Sequence, residues 1–487
     1  MLLHEILNNI PVTQFVGSAE QLEIDNISID SRNCKNGTIF FALKGFKTDG
    51  HKFIPQAISN GASAVVMDED QPGIDQLISS SKVAKILVKN SREALAQIAN
   101  VFYGNPSSKL NLVGITGTKG KTTTSYFLKN IFETAGMKTG LIGTNKNMIG
   151  EKKISTKLTT PESHIINNLM SEMVKEHCSN CVMEVSSHAV ELNRISNLDF
   201  NIGVFTNITS DHLDFHETFE NYMTAKSKFF QSLKPTAKII YNKDDKNYES
   251  ILKSSVAEKI SYSLKNEADF KVENVEYNLD GTKFRFIYQE KKYDVETELI
   301  GTFNAYNAIA AIGSAIYSNV SVENAIEGIY ATPQVPGRFE VIASGNKRVI
   351  IDYSHTADSL NQALNAIKHI VKSERPIYTV FGCGGDRDKT KRPIMGKIAV
   401  ENSSFVYVTS DNPRSENPFD IINDITKNLN TKNYNVIENR EEAIKSAITD
   451  SEENAVILIA GKGHENYQEI NGVRNFFSDK ETAEKYL

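Results

Sequence analysis

Residues Gly114 to Thr124 read G-I-T-G-T-K-G-K-T-T-T and follow the apolar run Leu110–Val113. The pattern predicts a strand, then a glycine-rich turn, then a helix opened by Lys121 and Thr122. Backbone N–H groups in such a loop can cradle phosphate oxygens, and the helix N-terminus adds partial positive charge. The lysine can reach β- and γ-phosphates, and the threonine hydroxyl can hold Mg2+. The common phosphate-loop spacing places a glycine five positions before Gly120. Ile115 stands there, with glycines at 114 and 117 instead, so the loop is a variant. A plain strand-to-helix turn would require fewer glycines and no Lys-Thr-Thr.

Other chemistry-bearing residues fall into short clusters. Glu184-Val-Ser-Ser-His188 follows a buried-strand pattern and offers a carboxylate to a metal opposite a nucleotide, directly or through water. Its Ser and His could also suggest a hydrolase, although no G-x-S-x-G elbow is present, or simply a polar surface loop. Asp211, His212, Asp214 and His216 cluster after another strand, and His212 could be a second metal ligand. Lys226 lies in a helical pattern, and its spacing alone reads as a solvated lysine. Arg338 follows the segment Thr332-Pro-Gln-Val-Pro-Gly337, where an arginine at a domain joint can reach across to a phosphate or remain an ordinary surface residue. Asp411-Asn-Pro-Arg414 and Gly461-Lys-Gly-His-Glu465 could together read a zwitterion, with Arg414 taking a carboxylate and Glu465 an ammonium. Cys178-Ser-Asn-Cys181 has C-x-x-C spacing but no second pair to complete a zinc site, so it reads as a helix end entering a buried strand.

The elements that must position these residues fall into three regions. The first, to about residue 108, holds short strands (39–43, 64–67, 85–88) and helices (53–60, 91–102), with Asn105-Pro-Ser-Ser as a linker. The middle region alternates β-branched strands (182–185, 202–206, 238–241) with helices (165–176, 222–233), the signature of a parallel sheet covered by helices. Residues 270–295 alternate polar and apolar around Asp280-Gly281, which reads as an antiparallel hairpin, and 304–318 as a buried helix. Beyond Gly337 a second α/β unit has strands at 348–353, 377–381, 405–409 and 455–460. Asp352 and His355, Gly382–Arg387, Asp411–Arg414 and Gly461–Glu465 all follow strand ends, where ligands of open parallel sheets bind.

Composition narrows the class. The chain has 487 residues, enough for about three domains. It is 40% hydrophobic and 23% charged, with a net charge of −6, a balance that builds ordinary cores and argues against nucleic acid as the main partner. Four cysteines fit a reducing cytoplasm. The segment Met1–Val16 lacks a signal-peptide layout, and no apolar run approaches bilayer length.

Together these motifs resemble the Mur ligase family over essentially the whole chain. They occur in the family's order: Asp30-Ser-Arg32, Gly117-Thr-Lys-Gly-Lys-Thr-Thr123, Thr159-Thr-Pro161, Glu184-Val-Ser-Ser-His188, Asp211-His-Leu-Asp-Phe-His216, Gly301-Thr-Phe-Asn-Ala-Tyr-Asn307, Gly337-Arg338, Asp352-Tyr-Ser-His355, Asp411-Asn-Pro-Arg414 and Gly461-Lys-Gly-His-Glu465. The resemblance implies an α/β protein of three domains: residues 1–108 for the UDP group, 109–332 as a central parallel-sheet P-loop ATPase, and 333–487 as a Rossmann-like α/β domain for the incoming amino acid. It implies a cytoplasmic, monomeric ligase of peptidoglycan precursor synthesis that uses ATP and Mg2+. The γ-carboxylate of UDP-MurNAc-L-Ala-D-Glu would take the γ-phosphoryl group, and a diamino acid would attack the acyl phosphate. The Asp-Asn-Pro-Arg form is similar to that of the meso-diaminopimelate-adding branch, although a near isostere such as meso-lanthionine is not distinguished.

Roles carry over by matching positions. Gly117, Thr118, Lys119, Gly120, Lys121, Thr122, Thr123, Asn304, Arg338, Asp352 and His355 resemble nucleotide contacts. Thr122, Glu184, His212 and a carbamylated Lys226 resemble the Mg2+ site, and Lys121, Lys226, His212 and Arg338 carry the catalysis. Ser31 matches a UDP contact, and Thr159, Thr160, Ser186 and Arg194 match contacts to the muramoyl dipeptide. Arg387, Asp411, Asn412, Pro413, Arg414, Gly461 and Glu465 match the amino-acid pocket. Lys119 replaces the usual Asn, and Leu158 and Leu192 stand where relatives often have polar substrate contacts. The alternative of a different class is a nucleotide-hydrolysing switch, which would need no amino acid.

Overall fold

The computed structural model describes residues 1–46, 48–372 and 374–487, with the side chain of Pro72 outside the description. Three main sheets organise the chain. The first has five strands in the order Val12–Val16, Ala84–Val88, Ala62–Met67, Thr38–Phe41, Asn26–Ser28. All neighbours are parallel except the first pair. The helix Ser91–Phe102 lies as its pattern predicts, capped by the Asn90 side chain, which accepts from the N–H groups of Arg92 and Glu93. The stretch after Asn105, read as a linker, is a short 3-10 turn, Pro106–Lys109, with Pro106 and Ser107 buried.

The central sheet has eleven strands. Its parallel core runs Glu258–Ser263, Lys238–Asn242, Ile202–Phe205, Asn111–Thr116, Asn180–Glu184, Thr139–Ile142. Continuous runs of Val, Ile and Leu suit strands covered on both faces. The phosphate-loop strand therefore sits mid-sheet, and it continues through Ile115 to Thr116. Gly114 is not part of the turn. A β-carbon there would lie 2.6 Å from the ring of Phe200 and 2.7 Å from that of Phe229, so this glycine makes room for helix packing. Gly117 is the turn glycine: φ is +153°, and a β-carbon would come within 1.9 Å of Thr206 Oγ1.

The alternating segment forms a three-stranded antiparallel meander, Phe270–Asn278, Gly281–Tyr288 and Lys291–Thr297, on one edge of this sheet. It is one strand longer than the hairpin its sequence suggests. The helix Thr302–Ile316 is almost wholly buried against it and against the helix Lys121–Thr134.

The C-terminal sheet runs Glu340–Ser344, Lys347–Asp352, Val456–Ala460, Ile377–Phe381, Phe405–Val408, Tyr434–Val436, parallel except for the first strand. Beneath it Arg440 and Asp479, both fully buried, form a bidentate pair with N–O distances of 2.7 and 2.8 Å. Arg440 also donates to the carbonyl of Ala460 (3.0 Å), fixing the strand end that leads into Gly461. A buried arginine holds such a place only with its charge paired, and here Nε and Nη2 carry the bonds while Nη1 has no partner. Among the described residues no helix is long and apolar enough to cross a membrane.

Candidate functional site

A cleft of about 1650 Å3 lies between the central and C-terminal sheets, lined from both. It opens at the carboxyl ends of their parallel strands, where side chains leave the sheet and main-chain N–H groups are free for ligands.

One wall is the phosphate loop. Lys121 opens the helix Lys121–Thr134 and turns its ammonium back onto the carbonyls of Gly117 (2.8 Å) and Thr118 (3.0 Å). Burial is the main influence on this lysine and lowers its pKa. Thr122 Oγ1 donates to Glu184 Oε2 at 3.0 Å, and Arg338 donates to Thr122 Oγ1 at 3.3 Å from the start of the C-terminal region. Arg338 also stacks 4.8 Å from the Tyr353 ring centroid. Glu184 ends its strand fully buried and is held by Thr144, whose N–H and hydroxyl both donate at 2.9 Å.

Lys226 corrects the reading from spacing. It is not solvated but 1% exposed, projecting from the helix Phe219–Gln231 under the loop. Its Nζ donates to Gly117 O at 2.9 Å and lies 4.7 Å from the Tyr222 ring centroid. Burial, reinforced by the charge of Lys121, drives its pKa well below the usual lysine value.

His212 caps the short helix Leu213–His216 in a left-handed conformation (φ +54°), with Nε2 3.6 Å from Asp211 Oδ2. The His188 ring stacks on Phe215 (centroids 4.2 Å apart) and lies 5.0 Å from His212 and 5.6 Å from His216. Burial lowers all three histidines to about 4. An unfolded chain with ordinary histidines binds more protons than the folded one between about pH 6.5 and 4, so stability falls as pH drops through that window. The urea midpoint should therefore be lower at pH 5 than at pH 7, and His188→Asn should flatten the dependence. An unchanged slope would remove this cluster as its source.

The opposite wall is C-terminal. Asp352 accepts from the N–H of Phe339 (2.8 Å) and from the Ser354 hydroxyl, and its burial raises its pKa. His355 Nδ1 lies 2.9 Å from the carbonyl of Tyr353, and burial lowers the ring's pKa. Asn412 donates to Glu465 Oε2 (2.8 Å) and accepts from the buried Lys462 (3.0 Å), which lies 3.6 Å from both Asp411 and Glu465. Burial, then the negative charge of Asp411, raises Glu465. Gly461 N–H donates to Asp352 O (3.1 Å), and Gly385 N–H donates to Asn412 O (2.9 Å). Pro413 sets the turn before Arg414, whose Nη1 donates to Gly385 O at 2.6 Å. Arg387 reaches back to Asp214 at 3.5 Å.

Several expected residues lie outside this cleft or behind its surface. Ser31 belongs to the first sheet region, with its hydroxyl bonded to Gln56 Oε1 at 2.8 Å. Thr159 is in the cleft wall, bonded to Thr144 (3.1 Å). Thr160 donates to Glu184 O (2.8 Å) and accepts from Ser186 N–H (3.0 Å), while Arg194 pairs with Glu162 (2.8 Å), so these three frame the Glu184 strand end. Asn304 sits one layer behind Asn307, which it orients by accepting its amide at 3.0 Å, and Asn307 is the one lining the cleft. Thr144 escaped sequence reasoning, and Tyr353, Lys462 and Asn307 fell inside quoted motifs without being given a role. Thr144 and Tyr353 each follow a strand end in the phosphate-loop or C-terminal sheet, the signal that found their neighbours.

Among the described residues no group of three or more His, Cys, Asp or Glu side chains converges as a metal site. The donors beside the loop are instead the Thr122 hydroxyl and the Glu184 carboxylate. Such a sparse oxygen set suits Mg2+ completed by phosphate oxygens and water, and does not suit zinc. Cys178 and Cys181 are buried thiols whose pKa values are raised by burial.

Fold and cleft define a phosphate-loop protein whose loop faces a second α/β sheet across the cleft. The chain matches the Mur ligase middle domain over residues 115–315, the Mur ligase glutamate ligase domain over 337–463 and the Mur ligase family catalytic domain over 23–103. It belongs to the Mur ligase family. It is 42% identical to UDP-N-acetylmuramoyl-L-alanyl-D-glutamate--2,6-diaminopimelate ligase 1 of Clostridium acetobutylicum, covering 100% of this chain and 99% of that protein. A diaminopimelate ligase of Bacteroides thetaiotaomicron is likewise 42% identical over 100% of this chain and 99% of its own length. A solved structure of such a diaminopimelate ligase superposes with a TM-score of 0.70 at 31% identity, covering 100% of this chain and 98% of that one.

Proposed function

We propose that this protein is an ATP-dependent ligase that joins meso-diaminopimelate to the D-Glu γ-carboxylate of UDP-MurNAc-L-Ala-D-Glu, in cytoplasmic peptidoglycan precursor synthesis. The observation that carries the reading is one cleft with the phosphate loop on one wall and the Asp411, Asn412, Arg414 and Glu465 cluster on the other, in a chain 42% identical over its full length to a ligase of that name. We assign residues 1–108 to the UDP end of the substrate, 109–332 to ATP and 333–487 to the amino acid, and take the working unit as a monomer.

A carboxylate is a poor electrophile. Its attack on the γ-phosphorus of ATP releases ADP and leaves an acyl phosphate. The amine then attacks the acyl carbon, phosphate departs, and the amine's proton is lost to solvent or a nearby base. Main-chain N–H groups from Gly120 to Thr123, with Lys121, offset charge on the triphosphate, those of Thr118 and Lys119 being taken by Asn207, and Arg338 meets charge developing at the transferred group. Mg2+, when bound, neutralises phosphate charge and orients the oxygens; Thr122, Glu184, His212 and Lys226 would hold it. Lys226 suits carbamylation because burial disfavours its charged form and so favours the neutral, nucleophilic amine. Reaction with CO2 forms the N–C bond and releases a proton, converting an amine into an anionic oxygen donor. Asp352, His355 and Asn307, the last set by Asn304, would position the nucleotide. Ser31 would contact the UDP group, and Thr159, Thr160, Ser186 and Arg194 the dipeptide. Arg414, with Arg387, would take the carboxylates of the amino acid, and Glu465 its ammonium, beside Asn412 and Asp411 on the turn set by Pro413 and Gly461.

Phosphate release across a panel of diamino acids tests this reading. ATP turnover with UDP-MurNAc-L-Ala-D-Glu should require meso-diaminopimelate. Equal or better rates with L-lysine would refute the specificity, and turnover without any amine would favour a nucleotide-hydrolysing switch.

A further inference from the structure

The cleft is crossed by two ion pairs of opposite polarity. Asp214 of the central region meets Arg387 of the C-terminal region at 3.5 Å, and Lys119 of the phosphate loop meets Asp358 in the first turn of the helix Ala357–Val371. The second pair carries no step of the chemistry above. The main chain of Lys119 is fixed independently of its side chain. Its N–H donates to Asn207 Oδ1 (3.0 Å), and its carbonyl accepts from Thr206 Oγ1 (2.6 Å) and Asn207 Nδ2 (3.1 Å). The ammonium is thus free to be directed by a partner, and that partner is on the other wall. Lys121, two residues on, does the opposite and folds back onto the loop. Asp358 is also well held, since Thr356 and Ser359 cap its helix reciprocally.

We propose that the Lys119–Asp358 pair positions the C-terminal domain over the phosphate loop for amine attack, with Lys119 acting as a positioning residue and not as a phosphate ligand. An asparagine at 119 could not make this pair. The inference rests on the ligase reading. The side chains are 25% and 46% exposed, so solvent and salt limit the effect to about three- to fivefold.

The experiment measures kcat/KM for the diamino acid in the unmodified enzyme, Lys119→Asn, Asp358→Asn and the double variant, with ATP affinity read separately from binding of a fluorescent ATP analogue. Each single change should lower kcat/KM about three- to fivefold at low salt, the double should be no worse than either single, and the differences should vanish near 0.5 M KCl. Asp358→Asn should leave nucleotide affinity within about twofold, and Lys119→Arg should retain activity. Losses that multiply, no loss at all, or a loss confined to Lys119→Asn with weakened nucleotide binding would overturn the proposal. Failure of the ligase reading looks different: the unmodified enzyme would then show no amine-dependent phosphate release.

Discussion

Lys226→Met should lower turnover about 10^3-fold while leaving the protein as stable as before, or more so. The two halves of that expectation have one cause. Lys226 is buried with its Nζ against the carbonyl of Gly117, and burial makes its charged form costly. Methionine fills a similar volume without an amine to desolvate, so the fold loses little. The site, however, loses the group that a carbamate would turn into an anionic oxygen donor beside the phosphate loop. Loss of one preorganised electrostatic partner costs about 10^2–10^3-fold in other enzymes, and an anion that would help hold Mg2+ belongs at the upper end. Phosphate release and a thermal melt check both halves. Carbamate forms from the neutral amine and releases a proton, so its occupancy falls as pH falls. Decarbonated buffer should therefore depress the unmodified enzyme more at pH 6 than at pH 8, with bicarbonate restoring it. A Lys226→Met enzyme that keeps a tenth of its activity would end this assignment.

Arg414→Ala should raise the KM for meso-diaminopimelate about 30- to 150-fold, equivalent to about 2–3 kcal/mol, with a much smaller change in kcat. The arginine is prepared for this work by its surroundings. Its backbone is held in the left-handed region (φ +53°), its N–H donates to Glu469 O (3.0 Å), and its guanidinium is aimed by Gly385 O. A fork so fixed can meet a carboxylate with two charge-assisted bonds at little further entropic cost. Because only a substrate with a second carboxylate gains from it, the same change should erode the preference over L-lysine. An unchanged KM would remove Arg414 from the pocket.

Much of the fold was legible because its cause is local. Val, Ile and Leu runs mark covered strands, and Gly120 followed by Lys-Thr-Thr marks a helix start after a tight turn. The helix 91–102 and the strand 377–381 fall where their patterns put them. The strand Val12–Val16 was hidden because it is a largely exposed edge strand, paired with Ala84–Val88 from far along the chain. The segment 291–297 falls mostly inside the hairpin read over 270–295, and only its pairing with 281–288 separates it as a third strand.

The amino-acid sequence by itself determined the phosphate loop, the α/β class and the rule that polar clusters gather at strand ends, since each follows from residue type and short-range spacing. Tertiary structure alone decided which of those residues share a cleft. It turned Gly114 into a packing residue under two phenylalanines, replaced Asn304 by Asn307 at the cleft surface, sent Lys119 across to Asp358, and took Lys226 out of water. The physical reason is that burial and charge pairing depend on what lies opposite in space, and the partners of these side chains come from strands and helices tens to hundreds of residues away.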